Sequence, residues 1–161
     1  MITFPAWYEG GYPDAEEVVM DILTPYLELL SPDVYVCTHL PEGYPEKLPI
    51  VRVYRGGGGE DYDNRVDWSA VQVGAFCETR ADAWELVEYC RQMLLSLRHG
   101  GRVERADGSI TVVKSVSEMV GPQILAELDP EVRFVPMTFR VECAKPHGSP
   151  NYVTIREQLN P

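Results

Sequence analysis

The sequence has 161 residues, 45% of them hydrophobic, and a formal net charge of −11. That length suits one domain of ordinary size, and the apolar fraction excludes a chain too polar to fold. With 25 Asp and Glu against 14 Lys and Arg, and no run of basic residues, a bound nucleic acid is disfavoured, because phosphate binding needs cations that displace condensed counterions.

Residues 1–13 (MITFPAWYEGGYP) are aromatic and broken by Gly and Pro. They predict an N-terminal arm that lies against another surface, since Phe4, Trp7, Tyr8 and Tyr12 are costly to leave in water. Asp14 predicts a helix N-cap, with Glu16 and Glu17 favourably placed in the first turn. Val18, Val19, Ile22, Leu23, Tyr26, Leu27 and Leu30 follow at helical spacing. Pro25 predicts a kink there, or a split into two short pieces. Val34–Leu40 reads as a strand, PEGYPEKLP as an irregular connection, and Ile50–Arg55 as a second strand. In that second strand Val51 and Val53 share one face, and Arg52 and Tyr54 the other.

Gly56–Gly59 and the acidic EDYDN predict a glycine-hinged hairpin tip. The longest strand then follows, Arg65–Cys77, with Val71, Val73, Ala75 and Cys77 on one face and Val66, Trp68, Ala70 and Phe76 on the other. Residues 50–77 therefore read as a long β-hairpin. A hinged tip adds little to a core, so removal of Gly56–Asp63 is expected to leave the fold intact.

Thr79, with Asp82 three residues on, predicts a capped helix over about 80–99. Ala83, Val87, Cys90, Leu94 and Leu97 form its apolar stripe, widened by Leu86 and Met93. Arg98 and His99 suit its C-terminal dipole, and Gly100–Gly101 ends it. After the Asp107–Gly108 turn signal, Ser109–Val116 reads as a strand, and Ser117–Asp129, with Gly121–Pro122, as its continuation in an irregular strand or as a loop. Val132–Ala144 alternates well, with Val135, Met137, Phe139, Val141 and Cys143 facing one way, and Lys145 onward reads as an extended tail. The fold expected is α+β in one domain over 1–161: a mostly antiparallel sheet of about four to five strands, with a long hairpin, against two helices.

Little in the chain points to catalysis. A phosphate loop needs its glycines to open into a helix bearing Lys and a hydroxyl, whereas these open into Glu60, Asp61 and Asp63. Asp61 and Asp63 sit on a solvated tip that supplies neither desolvation nor fixed geometry for acid–base work. Cys37 and His39 share a strand face, but no spacing in the chain supports a metal. No serine lies in a GxSxG-like turn. No catalytic, cofactor-binding or metal-binding residue is predicted, and no cofactor. The four scattered cysteines are expected to be buried, reduced thiols in a cytosolic environment. No segment reads as a signal peptide, and no apolar run reaches the roughly 18–20 residues that span a bilayer, so a soluble protein without membrane contact is expected. What remains is adhesive surface. The hairpin tip (Arg55, Gly56, Gly57, Gly58, Gly59, Glu60, Asp61, Tyr62, Asp63, Arg65) and the arm (Phe4, Trp7, Tyr8) are candidate contacts between subunits.

Two stretches carry a resemblance: PIVRVYRGGGGEDYDNRVDWSAVQVGAFCETRADAWELVEYCRQML and SVSEMVGPQILAELDPEVRFVPMTFRVECA. A strand and glycine-bearing loop precede an alternating strand, and a T-R-x-x-A start (Thr79, Arg80, Ala83) opens the long helix. Gly121–Pro122 precedes the closing strand. Over roughly residues 14–144 the chain resembles tail terminator proteins of long-tailed bacteriophages, especially actinobacterial phages. The resemblance implies a structural, non-enzymatic virion protein, assembled in the host cytoplasm and placed at the head-proximal end of the tail. It implies a ring, usually six-fold, that ends tail-tube polymerisation and presents a surface to a head-side connector protein. Partners so implied are further copies of the chain, the tail-tube protein and that connector, with tip and arm supplying contacts. DNA would pass an acidic lumen without binding. The neighbouring reading is a head-completion or neck protein of the same virion. A small enzyme or ligand-binding module would need a pocket of converging polar groups, and the sequence names none.

Overall fold

Alternating β-branched residues dictate the centre of the molecule. In β3 (Val66–Phe76) and β6 (Phe134–Ala144) the residues of one face are buried and those of the other mostly half-exposed, whereas β2 (Ile50–Asp61) is buried only at Ile50, Val51 and Val53. The computed structural model describes residues 2–63, 65–124 and 134–159. Its elements in chain order are α1 (Ala15–Leu27), β1 (Tyr35–Cys37), β2, β3, α2 (Arg80–Leu95), β4 (Gly101–Glu104), β5 (Ile110–Val120), β6 and α3 (Tyr152–Leu159), with a short 3₁₀ turn at Tyr44–Lys47. The strands form one sheet of order β1-β2-β3-β6-β5-β4, with β1 parallel to β2 and every other pair antiparallel. This is an α+β fold, and its six strands exceed the four to five expected because β4 follows the Gly100–Gly101 stop directly.

Both long helices start as their caps dictate. The Asp14 carboxylate accepts the Glu16 N–H at 2.9 Å. The Thr79 hydroxyl oxygen accepts the Asp82 N–H at 3.1 Å and donates to the Asp82 carboxylate at 2.6 Å. α1 is one helix, not two: Pro25 falls in its last turn, where few bonds remain to be lost. Val18, Val19, Leu23 and Leu27 of α1 and Ala83, Val87, Cys90 and Leu94 of α2 are buried in one core with Val53, Val71, Val73, Met137, Phe139 and Val141. α1 touches both β2 and β4, although three strands separate them in the sheet order, so the sheet curls around its helices. Arg105, just beyond β4, ties this curl shut with ion pairs to Asp21 and Glu17 of α1 and a hydrogen bond to Thr111.

Several sequence expectations need correction. The strand expected over 34–40 is shorter, Tyr35–Cys37. Of the two readings for the stretch after Val116, irregular strand or loop, its first part takes the strand: β5 continues to Val120 with a register shift at Glu118/Val120, because β6 supplies partners as far as Thr138. The stretch 125–133, with the expected start of the closing strand, lies outside the described residues. The glycine run is not a hinge. It belongs to β2, and Gly57, Gly58 and Gly59 pair with Ala70, Ser69 and Trp68 after a register shift at Arg55/Gly57. Gly58 has φ +151°, and a Cβ there would lie 2.1 Å from the Trp68 carbonyl oxygen, so the close strand approach requires glycine. The tail expected to be extended carries α3, started by Asn151, whose side-chain oxygen accepts the Val153 N–H at 3.1 Å.

All four cysteines are buried free thiols. Burial pushes the Cys90 thiol up to about 12 and those of Cys77 and Cys143 to about 11, and raises Cys37 as well. A thiol raised in this way holds its proton longer in the native state than in the unfolded chain. Its contribution to stability is therefore full below the ordinary value of 9.0 and is lost as pH climbs through 11–12. A thiol reagent at neutral pH is expected to label none of the four rapidly in the native protein and all four in denaturant. Fast native labelling of Cys90 would place it outside the core.

Candidate functional site at the hairpin end of the sheet

β2 and β3 join through a turn in which the Arg65 N–H donates to the Tyr62 carbonyl at 3.3 Å, and β6 ends beside them where Ala144 pairs with Val66. Three segments that the sequence treats separately meet at this end: the N-terminal arm, the hairpin turn and the segment after β6. Lys145 N–H donates to the Arg65 carbonyl at 2.9 Å, which carries the chain past the turn toward α3. The Tyr152 hydroxyl donates to the Gly10 carbonyl and accepts the Glu9 N–H at 3.2 Å, which holds arm and α3 together. Tyr12 at the base of the arm donates to the Glu60 carboxylate at 2.9 Å. Partial burial, with the Glu60 carboxylate beside it, pushes this hydroxyl up to about 12, so it remains a donor throughout the physiological range.

The rings follow the same pattern. Phe4 and Tyr8 lie 4.8 Å apart, and Trp7 and Tyr8 meet the Tyr152 ring at 6.4 and 5.9 Å. The Lys145 ammonium sits 5.7 Å from the Tyr12 ring and 6.0 Å from that of Tyr152. Between turn, arm and α3 opens a cavity of about 610 Å³, with Glu60, Asp63, Arg65 and Lys145 on its walls. Yet no residue of α3 is buried, and Phe4 is 59% and Tyr62 82% exposed. An eight-residue helix held by a few rings is too short to be stable alone. This end thus sets exposed aromatic rings and a short, unburied helix beside the central sheet. Among the described residues no group of three His, Cys, Asp or Glu gathers as a metal site needs.

Residues 11–150 match the profile of a protein family described as phage tail termination protein. The chain belongs to that family. No curated protein matches it. The matched span in this tail termination protein runs from the base of the arm to the residue before α3's cap, covering α1 and the whole sheet. Phe4, Trp7, Tyr8 and α3 lie outside it. Among the described residues, no helix is long and apolar enough to cross a membrane.

The contact residues expected from the sequence are dispersed by the structure into distinct settings. Gly56, Gly57 and Gly58 are exposed on the sheet, and Tyr62 and Asp63 are exposed at the turn. Glu60 is held by Tyr12. Arg65 takes φ 52°, a left-handed turn conformation, and offers its carbonyl to Lys145. Arg55 is engaged within the fold: its guanidinium pairs with Asp67 at 3.1 Å, and its N–H donates to Glu16 at 2.7 Å. Phe4, Trp7 and Tyr8 do come together, with Phe4 against Tyr8 and both Trp7 and Tyr8 against Tyr152. Sequence reading left out Lys145, Asn151 and Tyr152. The signal that could have found them is Pro150–Asn151 followed by Tyr152, Ile155 and Leu159 at helical spacing.

Proposed function

We propose that this tail termination protein forms a ring on the end of the completed tail tube, stops further polymerisation and offers the surface that joins tail to head. In this reading the chain is structural and not an enzyme, and it occupies the head-proximal end of the tail. The observation that carries the reading is the convergence of arm, turn and α3 at one end of a family member's sheet. Exposed aromatic rings and a short, unburied helix are what a docking surface needs, since such groups gain most when a partner removes them from water. We assign that end to contact with tail-tube subunits or neighbouring copies. The net charge of −11 would let DNA thread the ring without adhering, since like charges repel within a Debye length of roughly 8 Å at physiological salt.

The test mixes the full chain with tail-tube subunits of the same phage and measures tube length by electron microscopy. Tubes that stop growing with the protein at one end are the expected result, and Tyr152→Ala, which frees arm from α3, should weaken capping while the core still melts cooperatively. Tubes that elongate unchanged would overturn the termination reading. Capture by the portal side instead would assign the chain to the neck.

A further inference from the structure

α2 carries two surfaces of opposite charge at its two ends, about 24 Å apart for its 16 residues. At the N-terminal end lies a groove of about 610 Å³ with apolar walls from Leu30, Pro32, Val34, Leu48 and Leu86. Three exposed carboxylates, Glu78, Asp82 and Glu85, line the same groove. Asp82 accepts from Thr79, but among the described residues no Lys or Arg forms an ion pair with any of the three.

At the other end the chain turns through Gly100, where φ is +80° and a Cβ would lie 2.6 Å from the Lys114 carbonyl and 2.7 Å from that of Val113. This close approach sets the turn directly on β5. Arg98 and His99 before the turn and Arg102 after it are exposed, and neither arginine forms an ion pair among the described residues. Across the β4–β5 ladder Arg102 faces Val112 and Glu104 faces Ile110, so the four share one face. Ile110 is 53% and Val112 39% exposed. One end of α2 is therefore apolar with an acidic rim. The other is apolar with basic flanks, Glu104 being the acid among them.

We propose that the β4–β5 face of one copy seats in the acidic groove of the next copy, joining identical subunits head to tail. The inference rests on the ring reading above and names the interface that would build it. Contacts between two different patches of one chain propagate from copy to copy, and close into a ring when the rotation per step allows. Ile110 and Val112 leave water against the groove's apolar walls, while Arg98 and Arg102 meet Glu78, Asp82 and Glu85. Such rim charges mainly select the partner and fix its register. A chain with a net charge of −11 repels its own copies in general, so a local reversal of sign is the condition for self-association.

Sedimentation velocity across a concentration series tests this with three proteins: the unaltered chain, E78R/E85R and R98E/R102E. The unaltered chain should associate, less so at high salt. Each variant alone should melt as the unaltered protein does, yet dissociate at least about tenfold more readily, because like charges then meet at the interface. An equimolar mixture of the two variants should associate again, since every contact in an alternating ring regains opposite charges. Ile110→Ser should weaken association without moving the melting temperature. If the unaltered chain assembles and both reversals assemble equally well, the interface is wrong and the ring reading stands. If the groove reversal alone matters and mixing restores nothing, a surface of the next copy other than the β4–β5 face meets the groove, and the proposed pairing is wrong. An unaltered chain that stays monomeric, both free and on tube ends, overturns ring and interface together.

Discussion

Replacing Leu94 by alanine should lower the unfolding free energy by about 2–5 kcal/mol, the range for a large apolar side chain removed from a close-packed core. Leu94 is fully buried on the face of α2 that packs against β3, β5 and β6. Its removal deletes apolar contact and leaves a cavity between a helix and a curled sheet, neither of which can easily collapse onto the other. For a chain of this size the melting temperature should fall by about 4–20 °C. Gln92→Ala, on the exposed side of the same helix, should change stability by only about 0.5 kcal/mol. Calorimetry on the two variants decides the matter: similar melting temperatures would mean that the apolar stripe does not face the sheet.

Deleting Gly56–Asp63 is expected to disrupt the fold, the reverse of what a hinged tip implies. Five cross-strand pairs, from Gly57↔Ala70 to Asp61↔Val66, disappear with the segment. At about 0.5–1.5 kcal/mol net for each ladder hydrogen bond, the loss approaches the roughly 5–15 kcal/mol that holds a typical domain together. It also strips the outer neighbour from the first half of β3, leaving a new sheet edge prone to wrong pairing. A broadened or absent unfolding transition is the expected observation. A deletion variant that melts as sharply and as high as the intact chain would show that these glycines hang outside the sheet.

Both cases show how much was legible beforehand. The α2 stripe could be read directly, because helical periodicity and the cap at Thr79 are local properties that the packing then used without alteration. The same holds for the alternation in β3 and β6 and for the Asp14 cap. The glycine run could not be read, since glycine permits both a loop and a strand. What decides is whether a partner strand lies alongside, and β3 does. α3 was missed for a related reason. Eight residues carry too little local preference to predict a helix, and its Tyr152 contacts the arm at Glu9 and Gly10, more than 140 positions away.

By itself the sequence determined the α+β class, the two long helices, the faces of the central strands and the burial of the thiols. Each follows from composition or from a period within a few neighbouring residues. Only the tertiary structure decided that arm, turn and C-terminal helix meet at one end, that Arg55 is engaged by Asp67 and Glu16, and that α2 separates an acidic groove from a basic turn. Those arrangements depend on strand order and sheet curl. They arise from contacts between residues far apart in the chain, which no local pattern encodes.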